Sequence, residues 1–173
     1  MQEAIDEGYP ITDLTFIEYA AEANTETGFF QKHAAYFVAG NVIPANIVND
    51  RNWVAKHGEA NLATPELYAL EKAQLGDYPF SKWVAEVFKC AQLDFGRVDF
   101  GVVNGRPQAY EINTNPVIYE NTKHENPDRA YSLRIIRNRI LDALVGLATA
   151  PDAEKIGLHS TFRRSRMGRL KRL

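Results

Sequence analysis

Apolar and polar positions alternate along the chain in short extended segments separated by three helical ones. Residues 14–20 (LTFIEYA) carry β-branched and aromatic side chains in alternation and predict a first strand. Tyr36 to Val38 and Val42 to Val48 flank Gly40-Asn41, where positive φ costs little, and predict a hairpin. Thr64-Pro65-Glu66 starts a short helix to about Ala73, with Thr64 as N-cap and Pro65 in the first turn. A second helix starts at Ser81, carries Val84, Val87, Phe88 and Ala91 at helical spacing, and ends near Leu93. Residues 97–103 alternate strictly, with Val98, Phe100 and Val102 on one face and Arg97, Asp99 and Gly101 on the other. Asn104-Gly105 turns the chain into a strand from Gln108 to Asn113. Asn126-Pro127 opens the longest helix, striped by Leu133, Ile136, Ile140, Leu144 and Leu147. Five strands, mostly hairpin-linked, and three helices predict an α+β fold, a mostly antiparallel sheet backed by helices.

Composition narrows the class. The 173 residues are 45% hydrophobic and 24% charged, which excludes a disordered or fibrous chain. The single cysteine, Cys90, cannot form an internal disulfide and reads as a small buried hydrophobe; Trp53 and Trp83 read as packing anchors. No apolar run approaches the roughly 20 residues of a membrane span. The first ten residues lack an apolar core, so the expectation is a cytoplasmic protein with no membrane partner. Residues 163–173 hold six basic residues and no acidic one, and setting them aside leaves 14 basic against 22 acidic residues. The division expected is a folded part over 1–150 and a basic tail over 151–173. A solvated terminus accounts for that tail better than nucleic acid does, since aromatics do not interleave its basic residues.

Chemistry concentrates in residues 97–116, RVDFGVVNGRPQAYEINTNP. One face of the first strand presents Arg97 and Asp99, and one face of the second presents Glu111 and Asn113, with Tyr110 and Ile112 pointing away. Two carboxylates and an amide oxygen are the hard donors magnesium prefers when it bridges phosphates. Arg97 would hold a phosphate or a developing oxyanion beside them. The carboxylates share a face only if Asp99 lies opposite Glu111. A two-residue Asn104-Gly105 loop would instead pair Asp99 with Tyr110. A three-residue loop, Asn104-Gly105-Arg106, or a bulge further along restores the pairing, and the expectation is the longer loop.

The run R-x-D-F followed by Y-E-I-N-T-N-P resembles the last motif block of the ATP-grasp enzymes, the superfamily of D-alanine–D-alanine ligase and the glutathione synthetases. The resemblance implies ATP and magnesium as cofactors, Asp99, Glu111 and Asn113 as metal ligands, and Arg97 as the catalytic cation. It also implies a small-molecule carboxylate substrate, activated to an acylphosphate for attack by an amine or similar nucleophile. LTFIEYA resembles the family's hinge strand, which implies Glu18 and Tyr19 beside the nucleotide. Residues 29–53 resemble the hairpin after the hinge, with Lys32 or His33 toward the substrate side. The likeness spans about residues 14–147, the C-terminal half of such an enzyme, so a lid-bearing N-terminal half or a second copy of the chain is the expected partner. The alternatives are a truncated, non-catalytic ATP-grasp module acting as an interaction domain, and a nucleic-acid binder acting through residues 163–173. His33, His57, His124 and His159 form no pair at metal spacing.

Overall fold

The computed structural model describes residues 6–8, 10, 12, 20–56, 58–59, 61–119 and 121–148. Residues 14–19 of the strand expected over 14–20, Glu18 and Tyr19 among them, lie outside the described residues, as does the basic tail. Among the described residues the fold is α+β, an open antiparallel sheet of five strands with three helices. The strands are β1 (Phe30–Val38), β2 (Asn41–Pro44), β3 (Val48–Asp50), β4 (Phe95–Val103) and β5 (Arg106–Asn113). The helices are α1 (Pro65–Ala73), α2 (Ser81–Ala91) and α3 (Pro127–Ala148). Sheet order is β2-β1-β4-β5, and β3 pairs with the first residues of β1.

Alternation along β1 creates two cores. Ala35 and Phe37 pack with Val98 and Phe100 against Val84 and Phe88 of α2. Ala34, Tyr36 and Val38 pack on the opposite face with Ile136 and Ile140 of α3. The sheet is therefore covered on both sides, and β1 and β4 are central and almost fully buried. Capping follows the sequence. Thr64 Oγ1 accepts from the Leu67 amide at 3.4 Å, and Asn126 Oδ1 accepts from the Asp128 and Arg129 amides at 3.0 and 3.1 Å.

Five expectations need correction. The β1–β2 turn is Ala39-Gly40 (φ 43° and 87°), one residue earlier than expected; Asn41 instead pairs with Val38 and donates from Nδ2 to its carbonyl. The segment expected as one strand over 42–48 is broken after Pro44, and the Ile47 amide leaves the ladder to donate to Glu71 Oε2 at 2.9 Å. Cys90 is exposed, because six positions past Val84 turn a helix about 240° away from the buried line. Trp53 is 42% and Leu147 44% exposed, so neither is a core anchor. No described helix is long and apolar enough to cross a membrane.

Candidate functional site

The β4–β5 hairpin sets the site. Its loop is two residues, Asn104 and Gly105, both in the left-handed region (φ 50° and 70°), and not the three expected. Val103 to Phe100 pair in step with Arg106 to Ala109, and then the register shifts by one residue. The extra residue is Tyr110. This bulge, rather than a longer loop, sets Asp99 directly opposite Glu111 and Arg97 opposite Asn113. All four side chains thus share one face, the face of Lys32 and Tyr36 on β1.

The bulge also turns Tyr110 onto that face, contrary to the alternation expected. Its phenol lies over Gly101, and a Cβ at residue 101 would meet the Tyr110 hydroxyl at 2.0 Å. Only a residue without a side chain leaves room for the ring there.

Asp99 is 2% exposed and serves two cations. Arg97 grips it with both arms of its fork, Nε to Oδ1 at 2.7 Å and Nη2 to Oδ2 at 3.1 Å. Lys32 Nζ stands 3.2 Å from Oδ2 and donates to the Lys56 carbonyl at 3.1 Å. Burial works against the Arg97 charge, but the bonds and field of Asp99 outweigh it and hold the guanidinium pKa above its ordinary value. Arg97 also lies against the Tyr36 hydroxyl. That hydroxyl donates to the Val117 carbonyl at 2.6 Å, tying the segment after β5 down to the sheet.

Glu111 is exposed and has no hydrogen-bond or ion-pair partner among the described residues. Asn113 Oδ1 accepts from the Asn115 amide at 2.8 Å, which leaves one lone pair. Asp99 Oδ1 takes a single donor and keeps capacity for another ligand. Asp99, Glu111 and Asn113 thus lie on one face, each with acceptor capacity left. Among the described residues no group of three His, Cys, Asp or Glu side chains suited to a metal assembles, because the third donor here is an amide. Beside the cluster opens a pocket of about 470 Å³ lined by Lys32, Trp53, Lys56, Tyr110 and Glu111.

The structure thus brings together Arg97, Asp99, Glu111 and Asn113, and sends Lys32 and His33 to opposite faces of β1. Sequence reasoning missed Glu71, which is 3% exposed on α1 and ion-paired with Arg129. Burial raises the Glu71 pKa above the usual carboxylate range against the opposing pull of Arg129. Its role shows only in the structure, where the Ile47 amide leaves the ladder and takes Glu71 as its acceptor. Set beside models of known protein families, curated proteins and solved structures, the chain matches none.

Proposed function

We propose that this chain is the metal- and phosphate-binding C-terminal part of an ATP-grasp ligase, a magnesium- and ATP-dependent enzyme joining a carboxylate to an amine or similar nucleophile. The observation that supports the reading best is the register at the bulge. It gathers two carboxylates, an amide and two cations on one face within a single hairpin and its neighbouring strand. Lys32 and Arg97 balance Asp99 and Glu111 in charge, so an incoming triphosphate would be met by ammonium and guanidinium donors rather than by a net positive field. Asp99 holds the Arg97 fork in a fixed plane, which orients its remaining N–H groups toward phosphate oxygens. Asp99, Glu111 and Asn113 would hold magnesium, which when bound neutralises phosphate charge and orients the γ-phosphoryl group.

The reaction proposed moves that phosphoryl group to a substrate carboxylate, giving an acylphosphate and ADP. The nucleophile then attacks the acyl carbon and phosphate leaves. Arg97 would stabilise the oxyanion that forms on this carbon. Lys32 would contribute to binding the phosphates.

The test is calorimetric titration of Mg-ATP into the 173-residue chain, with Glu111→Gln beside it. Glu111 is exposed and unpartnered, so its substitution leaves the fold intact. The expected result is saturable binding that weakens about tenfold or more in the variant. A folded chain that does not bind Mg-ATP at millimolar concentration overturns the reading.

A further inference from the structure

Tyr36 is fully buried in β1, at a position a phenylalanine would fill as well if packing were the only demand. A buried hydroxyl costs stability unless it is hydrogen-bonded. This one donates to the Val117 carbonyl at 2.6 Å. Burial raises its pKa above the ordinary phenol value, against the pull of Arg97 and Tyr119, whose side chains lie against its oxygen. The phenol therefore keeps its proton at neutral pH and turns its acceptor side toward Arg97.

The register explains the meeting. Tyr36 pairs with Arg97 on β4, and Arg97 pairs with Asn113 on β5. The three side chains form one row across the sheet face that carries Asp99 and Glu111. Asp99 takes Nε and Nη2 of Arg97 along its own strand, and Tyr36 meets the guanidinium from the neighbouring one. A second carboxylate in that place would neutralise the charge a phosphate is to meet. An uncharged phenol holds the group and leaves its charge intact.

The same hydroxyl fixes the segment that follows β5. Asn113 Oδ1 accepts from the Asn115 amide at 2.8 Å, Pro116 is buried, and the Val117 carbonyl accepts from Tyr36. One oxygen atom thus ties Arg97 to the chain that runs on from the carboxylate pair.

We propose that Tyr36 is a positioning residue: its hydroxyl holds the Arg97 guanidinium and residues 114–117 in one arrangement, so that the free N–H groups of Arg97 keep their direction toward a phosphate. The inference rests on the Mg-ATP site proposed above and adds to it a residue that touches no ligand itself.

Calorimetric titration of Mg-ATP into the full chain tests it as a double-mutant cycle of wild type, Tyr36→Phe, Arg97→Lys and the double variant. Tyr36→Phe keeps the ring that fills the core, and Arg97→Lys keeps the charge beside Asp99 while removing the fork. Tyr36→Phe should weaken binding about fivefold in the wild-type background and by less than about 1.5-fold beside Arg97→Lys. Equal weakening in both backgrounds, the result for a residue that only supports the fold, overturns the proposal, as does unchanged affinity in a folded Tyr36→Phe chain. Tyr119→Phe removes one partner of the hydroxyl and leaves the Tyr36 ring in place. It should repeat the pattern at about threefold, and its cycle decides the question if Tyr36→Phe does not fold. A folded wild-type chain that binds no Mg-ATP overturns the ligase reading and this inference with it, whereas wild-type binding with equal losses in both backgrounds overturns the inference alone.

Discussion

Lys32 and His33 are neighbours on β1, yet they look out on two opposite kinds of buried polarity. On the Lys32 side the buried carboxylate is answered: Asp99 is shared by two cations, Arg97 and Lys32. Other buried polar groups are less completely paired: His33 Nδ1 on the opposite face, and Glu71 Oε1 between α1 and α3, are left without partners among the described residues. A closed network stabilises the resting fold. An incompletely paired group is held in place by the packing around it. The difference teaches that burial alone does not show how completely polarity is paired; the count of unmet donors and acceptors does.

The largest effect should come from breaking the closed side. Asp99→Ala removes the counter-charge of two largely buried cations and should cost about 3–5 kcal/mol in urea unfolding. The triple change Lys32→Met, Arg97→Met and Asp99→Leu removes the charges together and should recover most of that loss. If Asp99→Ala alone costs no more than an exposed change such as Glu26→Gln, about 0.5 kcal/mol, the network does not hold the fold.

A middle effect belongs to the open side. Burial lowers the His33 pKa from 6.5 to about 4, so the folded chain refuses a proton that the unfolded chain accepts. The folded pKa lies below the unfolded one, so its stabilisation is intact above pH 6.5 and is lost as pH falls toward 4. Between pH 7 and pH 5 the loss should be about 2 kcal/mol. Glu71 acts in the opposite direction, since its raised pKa makes its ionised form less favourable as pH climbs above 4.5. Comparing wild type with His33→Phe at both pH values isolates the histidine. Equal pH dependence in the two chains would show that His33 titrates as it does in water.

The unevenness of what the sequence discloses follows from distance along the chain. Arg97, Asp99, Glu111 and Asn113 lie within one hairpin, where a period of two and a turn signal suffice to group them. The need for one extra residue in that hairpin was also legible, but its place was not. Asn104-Gly105 closes a tight turn by itself, and the room for a bulge comes from Gly101, whose missing side chain matters only once Tyr110 folds over it. Glu71 sits in a polar helix beside Glu66 and Lys72, with nothing local to mark it as buried. Its burial depends on the Ile47 amide and on Arg129, which is 58 positions away. The α3 stripe was read correctly through Leu144, and it fails at Leu147 because the last turn extends past the residues it packs against.

The smallest effect separates the geometry of the Lys32 side from its chemistry. Deleting Tyr110 removes the extra residue and lets β5 continue in step from Ala109 to Glu111. Asp99 then remains opposite Glu111 without a bulge, and the two-residue loop is untouched. Stability should change by less than about 1 kcal/mol, because Tyr110 is half exposed and its ring covers only a glycine. What disappears is the phenol wall of the 470 Å³ pocket. If the carboxylate pair and its cations carry the proposed Mg-ATP site, binding should survive the deletion within about threefold. Loss of binding by a folded deletion chain would move the ligand from the cations to the aromatic wall. Tyr110 would then be a contact in its own right, and the bulge would exist to place that ring rather than to align Asp99 with Glu111.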